Sequence, residues 1–160
     1  GFEKGIAVAL AALTGCNNVS ESAGMIGSLM GLSLEAMVID NDMLGAVMRT
    51  VRGIEVNDAT LSLEVMAETV KGDGHYLRHP QTLEIMRTEY EYPALSDRRT
   101  LEDWQSAGSP DIRDQAAIYV KETLSSHYPL HIDADTDQKI RERFPIILPA
   151  HAMQPGNGRW

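Results

Sequence analysis

The sequence is short of the features that most directly announce a function. Cysteine occurs once, at position 16, so no disulfide can form within the chain, and a reducing cytoplasm is the expected setting. Nowhere do apolar residues run on for the roughly 20 positions that a bilayer span requires. Positive charge is in deficit: Lys and Arg number 14 against 23 Asp and Glu, a net charge of −9. Phosphate backbones and anionic lipid surfaces are repelled by such a balance, so neither nucleic acid nor a membrane is expected as a partner. The glycines at 24, 27 and 31 have neither the G-x-G-x-x-G order nor the Lys-Ser/Thr ending of a phosphate cradle. No G-x-S-x-G nucleophile elbow occurs. The five histidines are scattered apart from His75 and His79. On a helix that pair would share a face as metal ligands, but Gly72, Gly74 and Pro80 make a continuous helix there improbable, so no metal site is expected and the imidazoles are assigned to capping or loop contacts. Cys16 could act as a nucleophile, although a small apolar cysteine in a buried strand needs no such role.

What is present is a chain of 160 residues, 43% hydrophobic, enough for an ordered core. Phe2, Ile6, Ala9, Leu10 and Leu13 recur at helical spacing, predicting a helix over 2–14 with one buried face and Gly15 as its left-handed stop. Cys16 to Ser20 is expected to be a short strand, and helix, glycine and strand in that order suggest an alternating α/β unit. Residues 21–34 are expected to be a flexible, apolar loop. Glu35 to Ile39 fits either a strand or a helical lead-in. Asp40, Asn41 and Asp42 are expected to cap a helix closed by Arg49, Arg52 and Gly53, a bland alternative to a metal cluster.

From Asn57 onward the signals are helical. Asn57 is expected to cap a helix whose stripe includes Leu61, Leu63, Val65, Met66 and Val70. Lys71 to Gly74 ends it; His79-Pro80 starts another. Thr100 to Asp103 resembles a capping box with a shorter acid, Trp104 is placed in a buried turn, and Ser109-Pro110-Asp111 starts a further helix. Residues 57–127 are thus expected to be almost wholly helical, with any strands confined to 16–39. After His127, Pro129, Pro145, Pro149 and Pro155 punctuate a tail with one short helix between Asp135 and Phe144. Ile146, Ile147 and Leu148 are expected to be exposed there unless a partner subunit or another part of the protein covers them.

Several stretches together carry a resemblance. Gly53-Ile54-Glu55-Val56-Asn57-Asp58, Gly74-His75-Tyr76-Leu77-Arg78-His79-Pro80-Gln81-Thr82, Asp97-Arg98-Arg99 and the Trp104 to Gly108 turn resemble the C-terminal third of the trimethylamine methyltransferase family, from Gly1 to about His127. Because Gly1-Phe2-Glu3-Lys4 opens directly into an apolar helical repeat without a Met, the sequence reads as a piece of a longer chain. The resemblance implies an α/β fold, the C-terminal part of a TIM (β/α)8 barrel with a helical C-terminal extension. Residues 1–56 would hold the last barrel units, 57–127 the helical extension, and 128–160 a short helix and Pro-rich tail. It also implies methyl transfer from a methylated amine, trimethylamine or glycine betaine among them, to a corrinoid (cobalamin) carried by a partner protein rather than bound directly. A homo-oligomer is expected as well.

In a barrel, the loop after a strand lies on the functional face. Ser20, Glu21, Met25 and Met30 are therefore the candidate substrate-binding residues, with Glu21 near the substrate cation; as an alternative, the two methionines fill gaps in the core. No catalytic residue is assigned, because the resemblance places most of the active-site wall, and the pyrrolysine that some members carry, upstream of Gly1. The chain departs from the family pattern in one place. Where Ala-Gly-Met should be followed by Leu and a glutamate, it has Ala23-Gly24-Met25-Ile26-Gly27. Loss of that carboxylate argues against trimethylamine itself as substrate.

Overall fold

The computed structural model describes residues 1–128 and 131–153. Pro129 and Pro155 lie outside them. Among the described residues eight α-helices dominate: α1 Phe2–Leu13, α2 Leu34–Arg52, α3 Asp58–Leu61, α4 Leu63–Lys71, α5 Pro80–Thr88, α6 Leu101–Ser106, α7 Ile112–Ser126 and α8 Ala134–Arg143, followed by a 3-10 turn at Ala150–Met153. The strands β1 Met25–Ile26 and β2 Gly31–Leu32 pair antiparallel, Met25 opposite Leu32 and Ile26 opposite Gly31.

The 19-residue α2 is the spine, packing against both α1 and α7. Its start is set by Ser33, whose hydroxyl accepts from the Ala36 amide at 3.1 Å and donates to Glu35 Oε2 at 2.7 Å. That second bond holds the Glu35 carboxyl below its ordinary pKa. Asp40, Asn41 and Asp42 are therefore not caps. They lie inside α2, and Glu35 to Ile39 forms its first turns. The cap was displaced because Ser33, at the end of a glycine-rich loop, already satisfies the free amides. At the other end Arg49 and Arg52 stand in the last turn and Gly53 closes the helix, as expected.

One side of α2 organises residues 88–96. Asp42 accepts from the Ala94 amide at 2.7 Å and the Leu95 amide at 3.3 Å. One turn on, a Cβ at Gly45 would stand 2.7 Å from Glu91 Oε1, so a side chain there would have to displace the Glu91 carboxylate. Arg49 donates from Nε to the Glu89 carbonyl at 2.6 Å and from a terminal nitrogen to Glu89 Oε2 at 2.8 Å. Arg52 reaches the Thr88 carbonyl and Glu89 Oε2, each at 2.9 Å. Both guanidinium groups thus meet carbonyls at the C-terminal end of α5, where the helix leaves acceptors unpaired.

The helix starts after Asn57 were legible in the sequence. Asn57 and Thr60 form a capping box at 2.9 Å in each direction, and Asp111 and Asp114 form one at α7 at 3.0 and 2.9 Å. Thr100 caps α6 and also donates to the Asp103 carboxylate at 2.7 Å, so the acid is held by the hydroxyl. Trp104, part-buried, donates to the Pro110 carbonyl at 3.0 Å. Two expectations need correction here. The helix from Asn57 breaks at Ser62, which is left-handed at φ 53°, separating α3 from α4. Residues 57–127 contain no strand, yet they are not almost wholly helical, since 72–79 and 89–100 are irregular.

The core is small. Among the described residues, the buried hydrophobic residues are Val8, Val47, Leu95 and Ala116. The apolar face of α1 is not buried as expected, Phe2 being 82% exposed, and Leu63 and Val70 of α4 are exposed too. Helical periodicity fixes which residues share a face, not what covers that face. Ile146, Ile147 and Leu148 are exposed as expected.

Asp97 and Arg99 form a local two-pronged pair, Nε to Oδ1 at 3.0 Å and a terminal nitrogen to Oδ2 at 2.5 Å, with the Arg99 amide also on Oδ1 at 2.9 Å. These bonds, the guanidinium ones first, lower the Asp97 pKa from 3.8 to about 2. Because the folded value is depressed, the pair's contribution is present above the unfolded value near 3.8 and is lost as pH falls toward about 2. Carboxyl-carbon NMR should place the Asp97 midpoint near 2, and Arg99→Met should return it toward the ordinary value. Equal midpoints in both proteins would mean that the pair does not form in solution.

Candidate functional site

The candidate residues all fall in the connection from α1 to α2. The α1 terminus follows the expected route: Gly15 takes φ 85°, its amide bonding to the Ala12 carbonyl at 3.1 Å and that of Cys16 to Ala11 at 3.3 Å. The expected strand at Cys16 to Ser20 is absent. Asn17 and Asn18 favour turns, and only Val19 has strong β-propensity, so nothing there outweighs an irregular path. The loop expected over 21–34 is also more ordered than its glycines suggested, because it contains the β1–β2 hairpin.

Ser20 and Glu21 are exposed at a turn, Glu21 in the left-handed region at φ 58°. Met25 is part-buried in β1, whereas Met30 is 89% exposed beside the hairpin turn. Met30 therefore fills no gap among the described residues. The turn itself is unusual. Gly27, Ser28 and Leu29 take φ 58°, 54° and 71° in succession, and two of the three carry side chains that disfavour this region. Such strain persists only where surrounding structure holds it.

What holds this loop is a cluster that sequence reasoning did not identify. Gly24 is buried, at φ 80°. Its amide donates to Asp40 Oδ2 at 2.8 Å, and its carbonyl accepts from the Ser33 amide at 2.9 Å, closing residues 24–33 into a ring. Lys4 of α1 donates to the same Asp40 oxygen at 2.5 Å. Asp40 is only 5% exposed. Three elements, α1, the loop and α2, therefore meet at one carboxylate oxygen. The residues are 16 and 36 positions apart, and the available signal was an acid within an otherwise apolar helical stripe.

His79 behaves as expected of a capping imidazole, its Nδ1 accepting from the Gln81 amide at 3.2 Å. His75 lies in the irregular segment before it, so the spacing of the two does not become a helix face. Among the described residues no group of three or more His, Cys, Asp or Glu could hold a metal ion, and no helix is long and apolar enough to cross a membrane.

These features define a helix-rich segment with few strands, a small core, broad uncovered apolar faces and one strained loop pinned by a part-buried ion pair. Comparison with known proteins makes the class specific. The trimethylamine methyltransferase (MTTB) family model matches residues 1–144. Trimethylamine methyltransferase MttB of Methanosarcina thermophila is 37% identical over 138 residues, which cover 84% of this chain and 27% of that protein. The glycine betaine methyltransferase of Desulfitobacterium hafniense (strain Y51) is 26% identical over 141 residues, 88% of this chain and 29% of that protein. The chain belongs to the trimethylamine methyltransferase family. It spans about a quarter of the length of the curated relatives it matches.

Proposed function

We propose that the full-length protein containing this chain is a methyltransferase that moves a methyl group from a methylated amine to the corrinoid of a separate protein. The observation that carries this reading is the family match over 1–144, together with relatives named for trimethylamine and for glycine betaine. In this reading the chain supplies the end of a (β/α)8 barrel and its helical extension, in the cytoplasm, and the 20–30 loop faces the substrate. The chemistry asks the protein chiefly to orient a methylammonium group and exclude water, since the nucleophile belongs to the corrinoid.

The test is to mix the full-length protein with its reduced corrinoid partner and offer trimethylamine or glycine betaine in turn. Methylated corrinoid should appear by absorbance with one methylated amine, and its absence with every methylated amine tried would reject the proposal. The 160 residues alone should give no turnover, because a barrel without most of its strands cannot close. Their uncovered apolar faces favour a second role for the same segment, in which they pack on other parts of the protein or on a second copy.

Glu21 is the residue proposed to meet the substrate cation. Glu21→Gln in the full-length enzyme should raise KM roughly five- to thirtyfold, the range for losing one charge-assisted contact worth about 1–2 kcal/mol. Stability should change little, since Glu21 is exposed and has no tertiary partner to lose among the described residues. Unchanged kinetics would remove Glu21 from the site.

A further inference from the structure

We propose that Asp40 and Lys4 are positioning residues for the 20–32 loop, acting through the Gly24 amide rather than on the substrate. The inference rests on the reading above that this loop faces the substrate.

A carboxylate with 8% of its side chain exposed is retained at a cost unless its charge is matched and its lone pairs are used. Asp40 meets both conditions through Lys4 and Gly24. Each contact does separate work. Lys4 comes from α1 and is 31% exposed, so it supplies charge while its stem spans the gap between helices. Gly24 brings the loop in, and only glycine fits there: at φ 80° a Cβ would stand 2.8 Å from Leu32 Cδ1 and 3.1 Å from Met37 Cβ. Leu32 belongs to β2 and Met37 to α2, so the Gly24 site sets how closely the hairpin lies against the spine.

The remainder of the loop has few anchors of its own. Its further backbone ties are the two-residue hairpin ladder, the Met30 amide on the Gly27 carbonyl at 3.2 Å and the Ser33 amide on Gly24. Left-handed conformations at Glu21, Ser28 and Leu29 flank this single buried tether. Loosening the tether should let those residues relax toward ordinary backbone regions, displacing Glu21 and Met30 from the positions in which they would meet a ligand.

Three variants of the full-length protein separate the contributions. Asp40→Leu removes both contacts, Asp40→Asn keeps an oxygen for the Gly24 amide but loses the charge match, and Lys4→Met leaves the carboxylate with Gly24 alone. Backbone hydrogen exchange over 20–32 should quicken about tenfold in Lys4→Met and more in Asp40→Leu, with Asp40→Asn nearest the parent protein. KM for the methylated amine should rise in the same order while kcat stays within about a factor of two, the pattern of a displaced binding loop. Exchange over 20–32 that is unchanged in Lys4→Met and in Asp40→Leu would overturn the tether itself. Faster exchange with unchanged KM would overturn the positioning role by removing the loop from the substrate side, and so separates a failure of the functional reading from a failure of the tether. Should Asp40→Leu not fold, Lys4→Met at its part-exposed position carries the same outcomes.

Discussion

Gly24→Val is expected to lower stability by about 2–5 kcal/mol, the largest loss of any single substitution in the α1–α2 connection. Two costs combine. An L-residue held at φ 80° loses about 1–2 kcal/mol to backbone clash. Its Cβ also meets Leu32 Cδ1 at 2.8 Å and Met37 Cβ at 3.1 Å, which adds the roughly 1–3 kcal/mol typical of overpacking. The second contact is the costlier to relieve, because Met37 Cβ is fixed to the α2 backbone whereas the Leu32 terminus can rotate. Gly15→Ala provides the control. Gly15 has φ 85° but nothing within 4 Å of a built Cβ, so it should show the backbone cost alone. Denaturation midpoints of the two variants in the full-length protein would measure the difference, and equal losses would mean that Gly24 is not confined as described.

The second large effect is expected at the α2–α7 contact. Ala116 is 0% exposed, on the helix that packs against α2. Ala116→Leu adds three carbons at a position closed to solvent and should cost about 1–3 kcal/mol. Ala117, next to it but exposed, should accept leucine within about 0.5 kcal/mol. Because Val47 of α2 is likewise buried, Val47→Ala in the Ala116→Leu background should recover part of the loss. No recovery would place the added volume against some other neighbour.

The parts of the fold that were legible in the sequence are those whose cause is local. Asn57, Thr100 and Asp111 each cap a helix with an atom two or three residues away, and His79-Pro80 starts α5 for an equally local reason. The errors fall where a distant partner decides. Asp40 and Asp42 have the composition of a cap, yet their hydrogen-bond partners lie at Gly24 and Lys4 in one case and at Ala94 and Leu95 in the other. Nothing within four residues announces either pairing. The strand expected at Cys16 to Ser20, from which the alternating α/β order was inferred, does not form, and its residues include two asparagines. The loop of the candidate site was chosen for its glycines and its place after an expected barrel strand, which does not form. Its tether was not found, since the sequence of an amphipathic helix does not distinguish a buried acid with a partner from a solvated one.

The side of α2 that carries Asp42, Gly45, Arg49 and Arg52 bears on how this stretch of chain can vary in length. These positions advance by three or four residues and meet the 88–96 segment along one line. Deleting one residue between Asp42 and Arg49 would turn everything beyond it by about 100° and shorten the helix by about 1.5 Å. Arg49 and Arg52 would then face away from Glu89. A substitution here forfeits one contact; a frame-preserving codon loss forfeits the register. Insertions and deletions should accordingly be tolerated in 73–78, between the Gly72 end of α4 and the His79 cap of α5, and excluded from 42–52, so that a library of single-codon deletions across the gene would trace this helix as a gap in its survivors.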